Sequence, residues 1–199
     1  MAKSSRAEAM RHREDVVNAA SRLLRERGPA GLSVQDLMAA AGLTHGGFYK
    51  HFSSKDQLMG IAATSAFEEI LTLMVATRAE APDNTQARSA LLSRYLSVES
   101  RDAPGEGCAN AALASDAARS APDSPLRESY VAGVAQTIGQ LAAYQDEPGR
   151  DPQEARRAAI TDFAAMVGAL ILSRATSGTS LSDEILQVVR QALIESPRG

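Results

Sequence analysis

The stretch GLTHGGFYKHFSSK, residues 42–55, holds Thr44, His45, Tyr49, Lys50, His51 and Lys55 and contains no carboxylate. Such a set has no acid–base pairing for catalysis. What it offers is non-covalent: the lysines give charge-assisted bonds to phosphates, and Thr, His and Tyr reach phosphate oxygens or base edges. Gly46 and Gly47 sit among them, and each costs a helix roughly 1 kcal/mol relative to alanine. In exchange they leave a main chain that can lie close to a duplex, with its first N–H groups near a phosphate.

Other reactive residues are few. His45 and His51 lie six residues apart on different helix faces, and with His12 they have no cysteine or carboxylate pair to complete a metal site. Cys108 is the single cysteine, which excludes an internal disulfide and fits a reducing compartment. It lies in GEGCANAAL, after a glycine-rich loop and at the predicted start of a helix, where it could meet electrophiles or oxidants. There is no nucleophile–base–orienter set, no P-loop and no dinucleotide fingerprint, so neither an enzyme activity nor a cofactor is expected.

The elements that must hold the 42–55 stretch follow from hydrophobic spacing. Val16, Val17, Ala20, Leu23 and Leu24 predict a helix from about residue 5 to 27, stopped by Gly28-Pro29. Ser33 followed by Asp36 is a capping box opening a helix over 34–41, and Gly42 closes it. Thr44 is placed to cap a very short helix to about Phe52, and Ser53-Ser54-Lys55-Asp56 opens a long one towards Arg78. Beyond it, helices are expected over about 84–101, 108–120, 124–145, 153–176 and 182–195, the 124–145 helix stopping at EPGRDP (147–152). Aromatic residues make up only 4% of the chain and no strand pattern competes, so the fold class is all-α with about nine helices.

Charge is divided unevenly. Residues 1–55 carry nine basic and five acidic side chains, net +4, while residues 56–199 carry net −7. A basic head on an acidic body suggests that the head alone meets a polyanion. The N-terminus has no signal-like apolar core, and the longest apolar run, FAAMVGALIL at 163–172, is half of what spans a bilayer. A cytoplasmic protein without a membrane partner is the expectation.

Two short helices joined by a turn at Gly42 have helix-turn-helix spacing, with the second expected to enter the major groove. SVQDLMAAAGLTHGGFYKHFSSKDQLM resembles the N-terminal DNA-binding segment of the TetR family of transcriptional repressors. The resemblance rests on Leu37, Ala41-Gly42-Leu43, Thr44, the run from Gly46 to Phe52, and Lys55. It implies a DNA-binding domain over 1–56 and an effector-binding, dimerising domain over 57–199. By the same resemblance Thr44, His45 and Gly47 approach bases or nearby backbone, Tyr49, Lys50, His51 and Lys55 grip phosphates, and Ser33 lies near another; Gly46 joins the DNA-binding set through its bare main chain. Gly47 stands where many relatives carry a hydroxyl, and Met38 replaces a usually small residue.

For the acidic body the resemblance implies a homodimer and an effector pocket. Stripes over 160–171 and 185–193 would supply the interface through Val167, Leu170, Ile171, Ile185, Val189 and Leu193. Chosen on size and helix face, the pocket residues would be Phe67, Leu71, Tyr95, Tyr130, Phe163 and Met166, with Cys108 added for its thiol, suited to a small, mostly apolar or electrophilic molecule. The expected function is a sequence-specific repressor, released from a palindromic operator by that ligand. The alternatives are a small helical enzyme with a structural basic N-terminus and a constitutive helix-turn-helix adaptor without ligand.

Overall fold

A computed structural model describes residues 2–145 and 149–195, with side chains from residue 6 onward. The Glu147-Pro148 part of the predicted helix stop therefore lies outside the described residues. Among those described there are nine α-helices, two 3-10 segments and no strand: α1 (Ala2–Arg27), α2 (Val34–Ala40), a 3-10 segment (His45–Lys50), α3 (Lys55–Glu80), α4 (Asn84–Tyr95), α5 (Val98–Asp102), a 3-10 turn (Pro104–Glu106), α6 (Ala109–Arg119), α7 (Pro125–Ala143), α8 (Pro152–Ala175) and α9 (Ser180–Glu195).

Local sequence explains most of these boundaries. Ser33, Ser54, Asp83, Ser97, Ser124 and Asp151 each cap a helix by accepting a backbone N–H two or three residues on. Pro125 and Pro152 stand in the first turn, where a missing N–H costs nothing. Gly42 adopts φ +71°, the left-handed conformation that lets the chain leave α2. Two expectations need correcting. The predicted 84–101 helix is two helices, because Leu96 leaves helical geometry and Ser97 caps α5 through the Ser100 N–H. The segment after Gly42 is 3-10 rather than α, and Thr44 makes no side-chain cap bond.

Helix α3 is the spine. It packs on both α1 and α7. One buried cluster joins Val16, Leu24, Leu37, Phe48 and Phe52 of the head to Phe67, Leu113 and Leu126 of the body. The α3–α7 approach is close because Gly133 faces Phe67, and a Cβ at 133 would enter the phenyl ring. Across α1 and α3, Arg25 pairs with Glu69 at 2.7 Å and the Ser21 hydroxyl donates to the other Glu69 oxygen at 3.2 Å. Helices α3 and α8 each hold an 18-residue window of mean hydropathy 1.5, more than the longest uninterrupted apolar run suggests. In α3 that apolar surface is taken up by the core just described.

A second buried knot holds the far end. Arg88 of α4 donates through Nε and Nη2 to Asp162 of α8 at 2.9 and 2.7 Å, and through Nη1 to the Leu193 carbonyl of α9 at 2.7 Å. Gln145 donates to the same Asp162 oxygen at 2.9 Å. With Arg88 and Asp162 only 8% and 9% exposed, removing one partner strands the other charge. Arg88→Met is expected to lower unfolding free energy by about 3–5 kcal/mol in urea titration. The double variant Arg88→Met/Asp162→Leu should recover a large part of that loss.

Candidate nucleic-acid interface and ligand cavity

The 3-10 segment is fixed from beneath by two aromatic anchors. Phe48 and Phe52 are 0% and 2% exposed, their rings 5.5 Å apart, and the Arg13 guanidinium lies 5.3 Å from the Phe52 ring centre. The opposite side is open. Ser33, Thr44, His45, Gly46, Tyr49 and Lys50 are exposed, and Gly47, His51 and Lys55 are half-buried. Tyr49 is 72% exposed yet oriented, edge-on to Phe48 at 5.1 Å. All nine residues expected to meet DNA thus fall on the head, seven of them within or beside this one turn.

Three details differ from a simple row of free donors. The Lys55 ammonium donates to the Pro29 carbonyl at 2.7 Å, so it also ties α3 to the α1–α2 loop. The Ser33 hydroxyl is engaged in the capping box with Asp36, whose carboxyl those Ser33 bonds hold below the usual range. His12, from the first half of α1, shares a shallow groove of about 390 Å³ with Thr44, Gly47, Lys50 and His51. His12, weighed in the sequence only as a metal ligand, and Arg13 were not expected at this turn. For His12 the signal was faint, an i, i+4 relation to Glu8 on the α1 face that meets the turn.

The glycines are not demanded by the protein itself. Neither has a positive φ. A Cβ on Gly46 would meet nothing, and one on Gly47 would reach only the Met38 methyl at 3.5 Å, an ordinary contact. The fold therefore leaves their propensity cost uncompensated, which points outward for the reason.

A cavity of about 650 Å³ opens in the body between α3, α4, α6, α7, α8 and the 96–108 loop region. Of the residues expected there, Tyr95, Cys108, Phe163 and Met166 line it. Phe67 and Tyr130 do not: they stack edge-to-face at 5.8 Å in the core beside Gly133. Leu71, half-buried on α3, is also off the wall, one residue from Ile70, which lines it. Ile70, Leu73, Met74, Leu91 and Leu141 complete an apolar flank that side-chain size alone did not disclose.

The other end of the cavity is polar. Cys108, 6% exposed, occupies the N-cap position of α6 without making a side-chain cap bond. Tyr95 Oη is buried beside that thiol but has no hydrogen-bond partner; burial, then the thiol, hold its pKa well above the ordinary value. Asn110 Oδ1 is likewise buried and unpartnered. Each such orphan costs about 1–3 kcal/mol. The Arg174 guanidinium closes this side, donating to the Ser100 and Arg101 carbonyls at 2.8 and 3.2 Å. The loop between α5 and α6 serves two surfaces: Ala103, Glu106 and Gly107 line the cavity, while Gly105 presses on Arg22 and Glu26 of α1.

Of the residues expected at a dimer interface, Leu170 and Leu193 are buried within the protomer, 1% and 7% exposed, and offer nothing outward. Val167, Ile185 and Val189 are half-buried and Ile171 is exposed. They continue into Ile160, Leu172, Leu181 and Val188, 39–57% exposed together with Ile171, an apolar face on α8 and α9.

Because the room at Gly46 is free, Gly46→Ala is expected to leave the melting temperature unchanged or raise stability by up to about 1 kcal/mol. If the bare main chain faces DNA, the same variant loses DNA affinity in a filter-binding titration.

A family model described as bacterial regulatory proteins, tetR family, matches residues 16–60. Over 45 residues the chain is 44% identical to an HTH-type transcriptional repressor of Mycobacterium tuberculosis, covering 23% of this chain and 24% of that protein. Over 96 residues it is 30% identical to the HTH-type transcriptional repressor DhaR of Mycobacterium sp. (strain GP1), covering 48% and 47%. The matched part thus spans about a quarter to a half of the length of these curated relatives. Likeness of fold extends much further. A TetR transcriptional regulator from Chloroflexus aurantiacus superimposes with a TM-score of 0.76 at 24% identity, over 96% of this chain and 98% of that one. The transcriptional regulator FadR from Bacillus subtilis, solved with stearoyl-CoA, gives 0.66 at 15% identity, over 92% and 97%. Residues 16–60, set at the head of this all-helical fold, thus match the tetR family of bacterial regulatory proteins, and the chain as a whole shares its fold with solved TetR regulators.

Proposed function

We propose that this protein is a ligand-responsive transcriptional repressor that binds a palindromic operator as a homodimer in the cytoplasm. Residues 1–56 contact DNA, and residues 57–199 hold the effector and the dimer interface. The observation that carries this reading is the turn at 45–50. Its aromatic side is sunk in the core, and its other side is a cationic, hydrogen-bonding surface around two glycines for which the fold has no use.

In this reading Gly46 and Gly47 admit the DNA backbone, and Thr44 and His45 reach bases. Tyr49, Lys50 and His51 grip phosphates, supported by Lys55 and the N-terminus of α2 at Ser33. The exposed apolar face of α8 and α9 supports pairing through a four-helix contact. A two-fold dimer would set two heads about 34 Å apart, one turn of the duplex. An effector favouring a differently spaced pair of heads lowers operator affinity, and DNA lowers effector affinity by the same factor. The M. tuberculosis relative and DhaR are both described as repressors, which favours repression over activation here.

In a gel shift on DNA flanking the protein's own gene, specific binding with a steep salt slope is expected. Lys50→Ala should reduce that slope by about 0.9 for each phosphate contact removed, and Tyr49→Ala should weaken binding at least roughly tenfold. Binding that ignores sequence, or survives both substitutions, would refute the assignment.

A second route of release is favoured by the position of Cys108 on the cavity wall: addition of its thiol to an electrophilic effector. Cys108→Ser should then leave operator binding intact but abolish release by aldehydes or quinones. Unchanged release would eliminate this route.

A further inference from the structure

We infer that the polar end of the cavity is built for a neutral group that both donates and accepts a hydrogen bond, specifically a hydroxyl borne on an apolar body such as an alkylphenol. This rests on the effector reading above and names the chemistry of the same cavity.

The argument is an inventory of protons. Thr137 commits its hydroxyl proton to the Gly133 carbonyl at 2.8 Å and so can only accept from a neighbour. That fixes the orientation of the Asn110 amide, whose Nδ2 faces Thr137 Oγ1 and Cys108 Sγ, both at 3.5 Å. The atom left over is Oδ1, on a side chain in a residue only 1% exposed, and it accepts nothing. The main chain at Asn110 is itself anchored, since its carbonyl accepts the Tyr130 hydroxyl at 3.0 Å. Beside the same sulfur stands Tyr95 Oη, a donor with no acceptor. Both residues line the cavity. One vacant acceptor and one vacant donor therefore flank Cys108.

A ligand hydroxyl answers both, donating to Asn110 Oδ1 and accepting from Tyr95. A carboxylate cannot, because it has no proton for Oδ1. A cation is disfavoured by the Arg174 guanidinium, which lies close enough to Cys108 and Tyr95 to interact with both. Beyond the head group the wall turns apolar, through Met74, Leu91, Leu141, Phe163 and Met166, within a cavity of about 650 Å³. That volume falls in the range of roughly 300–1,000 Å³ typical of small-molecule sites.

The test is calorimetry on the full chain without DNA. The probes are 4-alkylphenols from methyl to heptyl, their methyl ethers, and the matching 4-alkylbenzoates. The phenols should bind at least roughly tenfold tighter than ethers and benzoates of equal length, because the ether leaves Oδ1 unsatisfied and the benzoate cannot donate. Asn110→Ala should bring phenol and ether close to parity, whereas Tyr95→Phe, which removes the donor to both oxygens, should weaken phenol and ether alike. If Asn110→Ala fails to fold, Tyr95→Phe still decides, since it removes one oxygen and keeps the ring: phenol affinity unchanged in that variant overturns the inference. Ethers that bind as tightly as phenols, benzoates that bind better, or no binding by any of the three overturns the inference. A parallel operator gel shift separates the two readings. Phenols that bind but leave DNA bound keep this inference and remove the effector role, whereas an apo protein that ignores DNA removes the regulator role alone.

Discussion

Everything in this molecule is tied to α3, because one unbroken helix of 26 residues belongs to two places at once. Its first turns bury Leu58 and Met59 among the head residues, and its later turns bury Phe67 and Met74 in the body. A helix with its ladder intact rotates or translates as a unit more readily than it bends. The Arg25–Glu69 pair and the Ser21 bond add a polar lock between α1 and the middle of α3. The head is thus seated on the body through a shared core rather than joined by a linker, and its direction is set by whatever sets α3.

The body treats buried polar groups in two opposite ways. At Arg88, Asp162 and Gln145 every donor that the fold has sunk finds an acceptor, and the knot joins α4, α8, α9 and the end of α7. At Tyr95 and Asn110, on the cavity wall, a buried donor and a buried acceptor are left without a partner. A satisfied network rigidifies, and an unsatisfied one is a cost held in reserve for a partner. That contrast separates the scaffold from the binding end more clearly than cavity shape does.

Much of this was legible in residue order. The head was readable because its signals are local: the Ser33–Asp36 capping box, the glycine at 42, and the aromatic pair Phe48 and Phe52 around a polar turn. The body was less so. The break at Leu96 carries no proline or glycine, only a serine that caps as readily as it continues. Phe67 and Tyr130 have the size of pocket residues, but the pairing of Gly133 with Phe67, 66 positions away in the chain, draws them into the core instead. Leu170 and Leu193 fit an apolar stripe as well as Ile171 and Val189 do. Periodicity finds a helix face without telling whether that face turns to its own protomer or away from it.

The loop joining α5 to α6 touches both the cavity and the head. Its cavity side is formed by Ala103, Glu106 and Gly107, and its outer side, at Gly105, bears directly on Arg22 and Glu26 of α1 with no room for even a methyl group between them. The head therefore meets the body at two places, along α3 and at this wedge under α1. Any displacement of the cavity wall at residues 103–107 would bear on α1 away from the α3 axis, and so act on the head as a turning moment.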